Sequence, residues 1–308
     1  MNFADRDGVI WFDGKMVPWR DAKIHVLTHT LHYGMGVFEG VRAYHAGDKG
    51  SCIFKLQEHT DRLFRSAHIM RIDIPFSKEA LNEAQRAVVR ENNLDEAYLR
   101  PMVFLGSEGM GLRADALKVH AIVAAWEWPS YMSPEAKENG IKIRTSSYTR
   151  HHVNITMCKA KANGNYINSM LALREALDSG CEEALLLDNE GYVAEGSGEN
   201  FFMVRDGIIY TPELTSCLDG ITRKTIFQLA ADCNYEIREK RITRDEVYVA
   251  DEAFFTGTAA EVLPIREYDG RVIGEGKRGP ITTRLQDLYF KAVKGQLPEH
   301  TDWLAPIQ

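Results

Sequence analysis

Lys159-Ala160-Lys161-Ala162-Asn163-Gly164-Asn165-Tyr166 is the stretch on which the reading of this 308-residue chain turns. Two lysines stand one residue apart, so in an extended segment both side chains face the same way. By composition alone they are a solvated lysine pair. Beyond them Ile167, Met170, Leu171 and Leu177 keep a helical spacing, and Gly180 can end that helix.

Working outward, Ile141 to Arg144 reads as a strand that opens an α/β region. Before it, Trp128-Pro129-Ser130-Tyr131-Met132-Ser133-Pro134 has two prolines and no periodicity, which predicts a domain linker. The expected division is therefore a small N-terminal α/β domain over 1–128, a linker over 129–137 and a larger C-terminal domain over 138–308. In the first part, Asp13-Gly14 supplies the positive φ angles of a tight hairpin turn. Strands are predicted over Phe38 to Tyr44, Cys52 to Lys55, Tyr98 to Leu105 and Val119 to Ala125. Leu56, Leu63, Phe64 and Ala67 mark one helix, and Ser77 caps a second whose buried face is Leu81, Ala84 and Val88. In the last part, three strand pairs turn at Asn189-Glu190-Gly191, Arg205-Asp206-Gly207 and Gly257-Thr258-Ala259, with helices from Thr222 to Asp232 and from Pro280 to Lys294.

Apolar residues make up 44% of the chain and charged residues 26%, an ordinary globular mix. The net charge of −7 argues against a nucleic-acid or anionic-membrane partner, since either calls for clustered Lys and Arg. Met1 to Asp7 is acidic with no apolar run after it, so no secretory leader is expected. The longest apolar runs, such as Ala121 to Trp126, are too short to span a bilayer. Five widely spaced cysteines fit reduced thiols in the cytoplasm. Gly34, Gly36 and Gly40 have dinucleotide-fingerprint spacing but precede a strand instead of following one. His25, His29 and His32 lack a metal-ligand partner set, so no metal is expected. Cys158 has no neighbouring His base and reads as an inert thiol.

Two further segments join the lysine stretch: Glu195-Gly196-Ser197-Gly198-Glu199-Asn200, and Leu218-Asp219-Gly220-Ile221-Thr222-Arg223 entering a helix. Taken singly, these are a β-turn and a capped helix start. Together, and with His32-Tyr33-Gly34, Val37-Phe38-Glu39-Gly40, Tyr98-Leu99-Arg100-Pro101 and Thr256-Gly257-Thr258-Ala259-Ala260-Glu261, the chain resembles the fold-type-IV pyridoxal-phosphate (PLP) enzymes, specifically the branched-chain amino acid aminotransferases. The resemblance spans essentially the whole chain. It implies an α/β (α+β-like) fold of two domains with the cofactor held between them, and a homo-oligomer.

The resemblance also implies roles. Lys161, five residues before Tyr166 as the family spacing requires, forms the Schiff base and shuttles the substrate α-proton; Lys159 is the competitor. Glu195 keeps the pyridine nitrogen protonated, and Tyr166 hydrogen-bonds the 3-oxygen. Arg62, the amides of Ile221 and Thr222 at a helix N-terminus, Leu218 and Thr258 cradle the cofactor and its phosphate. The turn Thr258-Ala259-Ala260 binds the substrate α-carboxylate, and Tyr33, Phe38, Trp128 and Tyr131 wall an aliphatic side chain. Tyr98 and Arg100 lie near the pocket mouth, where the arginine meets the distal carboxylate of glutamate. A Met157-Cys158 pair stands where many relatives carry a Pro-containing run. The implied reaction moves the amino group of Leu, Ile or Val to 2-oxoglutarate. D-amino acid aminotransferases and aminodeoxychorismate lyase share the scaffold, and a PLP-binding protein without turnover is a further alternative; Tyr98-x-Arg100 and the aromatic wall favour the branched-chain reaction.

Overall fold

The structure, a computed structural model, describes residues 2–128 and 133–308. It divides into two compact units. The first comprises Met1–Pro129, Ala160–Gly164 and Ala292–Gln308; the second comprises Ser130–Lys159 and Asn165–Lys291.

The chain starts with the hairpin β1 (Val9–Phe12) and β2 (Lys15–Pro18), turned by Asp13 and Gly14 at φ 48° and 90°. Short α1 (His29–Tyr33), β3 (Gly36–Phe38), β4 (Val41–His45) and β5 (Ser51–Phe54) follow. The strand expected from Phe38 to Tyr44 is thus interrupted at Glu39 and Gly40. Gly40 lets the Tyr98 hydroxyl approach the backbone there, since an added Cβ would lie 2.1 Å from it. Next come α2 (Leu56–Ile69), α3 (Lys78–Glu91), β6 (Ala97–Leu105) and β7 (Val119–Trp126). Ser77 Oγ accepts from the Ala80 amide at 3.1 Å, so the expected cap forms. Leu81, Ala84 and Val88 are all buried, in a core that also takes Leu63 and Ala67 from α2.

The second unit opens with α4 (Pro134–Asn139), so part of the expected linker is helix. Pro129–Met132, and with them Tyr131, lie outside the described residues. Then come β8 (Ile141–Thr145), α5 (Tyr166–Asp178), β9 (Glu183–Leu187), β10 (Val193–Gly196), β11 (Asn200–Arg205) and β12 (Ile208–Thr211). After α6 (Ile221–Asp232) the chain forms β13 (Ile237–Glu239), α7 (Arg244–Tyr248), β14 (Glu252–Gly257), β15 (Glu261–Tyr268) and β16 (Arg271–Val272). Finally α8 (Pro280–Val293) leads to β17 (Leu304–Pro306).

The first sheet is ordered β17-β5-β4-β6-β7-β1-β2 with β3 on β6; the second is β10-β9-β8-β15-β14-β11-β12-β13 with β16 on β15. Pairs in the first are antiparallel, whereas β8 lies parallel to both β9 and β15 in the second. Two stretches that the sequence reading assigns to the C-terminal domain fall in the first unit. Ala160–Gly164 enters as a backbone bridge between Val37 and Ala162, and β17 pairs with β5. Gly34 and Gly164 allow the first: Gly164 donates to the Gly34 carbonyl at 3.0 Å, and a Cβ on Gly34 would meet Gly164 Cα at 3.2 Å. The helix α5 buries Ser169, Ala172 and Ala176, while Ile167, Met170, Leu171 and Leu177 are exposed. Its large apolar residues therefore face away from the unit's own core.

Candidate active site

In the first unit the lysine segment is held along its backbone. Lys161 donates from its amide to Ser66 Oγ on α2 at 3.0 Å and accepts from the Phe38 amide at 3.1 Å. Its ammonium lies 5.0 Å from the centre of the Phe38 ring, and the Arg100 guanidinium lies 4.7 Å from that same centre. A desolvated cation near an aromatic ring is favoured by the ring's negative face. Arg100 and Tyr98 share one side of β6, as alternation requires, with Arg100 Nη2 3.3 Å from the Tyr98 hydroxyl. Tyr98 packs against Trp126 and, edge-on at 4.6 Å, against Trp128. Contacts thus run from Lys161 to Phe38, from Phe38 to Arg100, from Arg100 to Tyr98, and from Tyr98 to Trp128. Arg100 Nε is buried without a hydrogen-bond partner among the described residues. Tyr33 is exposed, packs at a tilt against the His29 ring, and accepts from the Gly111 amide.

Arg62 is buried on α2 and binds both oxygens of Glu39, at 2.7 and 2.8 Å. The sequence reading takes Arg62 as a phosphate ligand and assigns Glu39 no role. A legible signal existed. His59 and Arg62 stand one turn apart on a helix whose neighbouring positions are core, so a buried acid was to be expected beside them.

In the second unit, Glu195 on β10 is 5% exposed. Its Oε1 accepts from Arg150 Nε at 2.8 Å and its Oε2 from the Leu218 amide at 3.1 Å. Arg150, also buried, is itself held by Asn168 and Ser169 on α5, at 3.0 and 2.9 Å. No motif singled out Arg150. Its neighbour His151 has its imidazole held down at about 4 by burial and by the Arg150 charge. The Cys158 thiol is pushed up by burial and donates to carbonyls, as an inert thiol should.

Lys159 falls in this unit, and its ammonium donates to the carbonyls of Cys217 and Thr215 at 2.7 and 3.2 Å. The same loop runs through Leu218 into α6, whose N-cap, Gly220, provides no side-chain cap for the amides of Ile221 and Thr222. Asn200 braces the loop through the Leu218 carbonyl. Thr256, opposite Asn200 in the β11–β14 ladder, keeps a buried hydroxyl with no partner among the described residues. Thr258, Ala259 and Ala260 form the turn from β14 into β15. A fixed carboxylate, an uncapped helix N-terminus and an unpartnered hydroxyl are what a protonated pyridine ring bearing a phosphate requires, so the residues fit that cofactor.

Comparison with known proteins gives a consistent picture. The amino-transferase class IV family profile matches residues 36–268. A branched-chain-amino-acid aminotransferase of Pseudomonas aeruginosa is 68% identical over 303 residues, covering 98% of each chain. The T.th. branched-chain amino acid aminotransferase with pyridoxamine 5'-phosphate superposes with a TM-score of 0.96 at 48% identity, over 98% of this chain and 99% of that one. A second structure of that enzyme, complexed with N-(5'-phosphopyridoxyl)-L-glutamate, gives 0.94 at 47% identity with the same coverage.

Proposed function

The chain belongs to the class IV aminotransferases, and from that premise we propose that it exchanges the amino group of leucine, isoleucine or valine with 2-oxoglutarate. Its cofactor is pyridoxal 5'-phosphate, which when bound supplies the electron sink that makes a substrate α-proton labile. Lys161 anchors the cofactor through its amine and moves the α-proton. Glu195, held by Arg150 and the Leu218 amide, keeps a proton on the pyridine nitrogen. Tyr166 donates to the 3-oxygen, and Arg62, Ile221, Thr222 and Thr258 hold the phosphate. The amides of the Thr258-Ala259-Ala260 turn take the substrate α-carboxylate. Donor and acceptor use the site in turn, which is a ping-pong reaction.

The observation that carries the substrate reading is the Phe38 ring, whose centre lies 5.0 Å from the Lys161 ammonium and 4.7 Å from the Arg100 guanidinium. One aromatic surface thus serves both the reacting amine and a second cation. Leucine binds such a wall by desolvation, whereas the distal carboxylate of glutamate would be costly to bury unpaired. Arg100 has no ion pair with an acid among the described residues, so it is available to glutamate and can be ignored by leucine. Arg100→Met should raise KM for glutamate and 2-oxoglutarate sharply while leaving the leucine half-reaction within a few-fold. Equal damage to both halves would refute the dual-substrate role. A donor panel with L-leucine, D-alanine and aminodeoxychorismate separates this activity from the others the scaffold supports.

A homo-oligomer in the cytoplasm completes the proposal. Exposed Ile167, Met170, Leu171 and Leu177 on α5, and Val26, Leu27 and Leu31 around α1, give two apolar faces suited to a second copy. All five cysteines are free, as a reducing compartment maintains them. Met170→Glu should shift the sedimentation coefficient toward smaller species if the α5 face is covered.

A further inference from the structure

Three buried side chains meet at the end of β3. Glu39 follows Phe38, and His59 and Arg62 stand one turn apart on α2. Glu39 Oε1 accepts from Arg62 Nε at 2.7 Å; Oε2 accepts from Arg62 Nη2 at 2.8 Å and from His59 Nδ1 at 2.7 Å. None of the three is more than 5% exposed. Burial pushes the Glu39 carboxyl up, but the Arg62 charge and the bonds from Arg62 and His59 outweigh it and hold the group well below the usual carboxylate range. Burial holds the His59 imidazole down, so a neutral ring donates Nδ1–H. The group is one anion, one cation and one neutral donor.

Stability does not require such a pair, because apolar side chains of similar shape fill a core as well or better. What the pair supplies is a fixed guanidinium plane. Both bonds to Glu39 use the Nε–Nη2 edge, so the donors of the opposite edge point away from Glu39. The same two elements hold the lysine segment: Phe38 precedes Glu39 and donates to the Lys161 carbonyl, and Ser66, one turn beyond Arg62, accepts from the Lys161 amide. Any tilt of Arg62 would therefore be a tilt relative to the anchored lysine.

We propose that Glu39 is a positioning residue that, steadied by His59, sets the plane of Arg62 so that its opposite edge meets the phosphate monoester of the cofactor. The proposal rests on the reading of Arg62 as the phosphate arginine and goes beyond it, since it gives Glu39 and His59 a part in telling a phosphorylated cofactor from an unphosphorylated one.

The test compares two probes, pyridoxal 5'-phosphate and pyridoxal, binding to the full chain after removal of cofactor, with affinities read from tryptophan quenching. The quantity of interest is the ratio of the two affinities. Arg62→Gln should shrink the ratio, and Glu39→Gln should shrink it roughly tenfold, the scale of one misplaced charge-assisted contact. The double variant should lose no more than Arg62→Gln alone, because Glu39 acts through Arg62. Glu39→Asp keeps the charge but is too short to span both donors, and it should move the ratio in the same direction, which serves if Glu39→Gln folds poorly. A Glu39→Gln chain that weakens both probes equally, or that adds fully to Arg62→Gln, would overturn the proposal and leave Arg62 intact as the phosphate ligand. An unchanged ratio in Arg62→Gln would overturn both readings together.

Discussion

Glu39 in the first unit and Glu183 in the second are equally buried, both at 0% exposure, and they titrate in opposite directions. Glu39 has a guanidinium and an imidazole N–H on its oxygens, and its carboxyl is held low. Glu183 on β9 accepts at Oε1 from its neighbour's amide at 2.7 Å, while Oε2 has no partner among the described residues. Burial outweighs the pull of the Ala184 amide and of nearby Ser197, and pushes the Glu183 carboxyl up to about 7. Burial raises both groups; only the partners decide which one is charged. Glu195, like Glu39, has a guanidinium fixed on one oxygen, from Arg150, and an amide, from Leu218, on the other. The difference between the two classes is functional. A carboxylate with a fixed cation can direct that cation or be directed by it, which is the part proposed for Glu39 and for Glu195. Glu183, with neutral donors around it, has no full charge until pH rises past about 7. The two lysines differ in their surroundings as well: Lys159 is tied to two carbonyls, and Lys161 stands beside an aromatic ring.

The sharpest break in this contrast would come from the lysines. Lys161→Ala should lose the visible absorbance of bound cofactor and nearly all transamination, while Lys159→Ala keeps both. The reverse result would mean that carbonyl anchoring does not disqualify Lys159. Next in size is Glu195→Gln, which should keep the cofactor but slow α-proton transfer roughly a hundredfold, equivalent to about 3 kcal/mol of barrier. Unchanged single-turnover rates would remove Glu195 from the pyridine nitrogen.

The two buried acids supply the smaller, pH-resolved tests. Glu39 has a folded value below its ordinary one, so its contribution to stability is present above about pH 4.5 and is lost as pH falls toward the folded value. Glu39→Gln should therefore flatten the acid side of a Tm-versus-pH curve. Glu183 is the opposite case. Its raised value means that stability is fully present below about pH 4.5 and is lost as pH rises through about 7. Glu183→Gln should raise Tm by a few degrees near pH 8 and by little near pH 4. Equal shifts at both pH values would show that Glu183 finds a partner when it ionises.

Much of this protein was determined by its sequence alone, wherever the physics is local. Asp13-Gly14 imposed a turn because positive φ angles are cheap there, and Ser77 capped α3 because its hydroxyl reaches an amide three residues on. Leu81, Ala84 and Val88 announced a buried face by spacing. The proposed roles of Lys161, Tyr166, Glu195 and Arg62 came from their ordered resemblance to one enzyme family. Tertiary structure alone decided what those residues touch. Arg150 meets Glu195 across 45 residues and Arg62 meets Glu39 across 23, and neither pair has a period or a motif. Spacing likewise could not say which way α5 turns its apolar stripe, because periodicity marks a face without naming what covers it. Nor could it show that β17 returns to β5, since strand pairing is a contact between distant backbones that carries no side-chain signature.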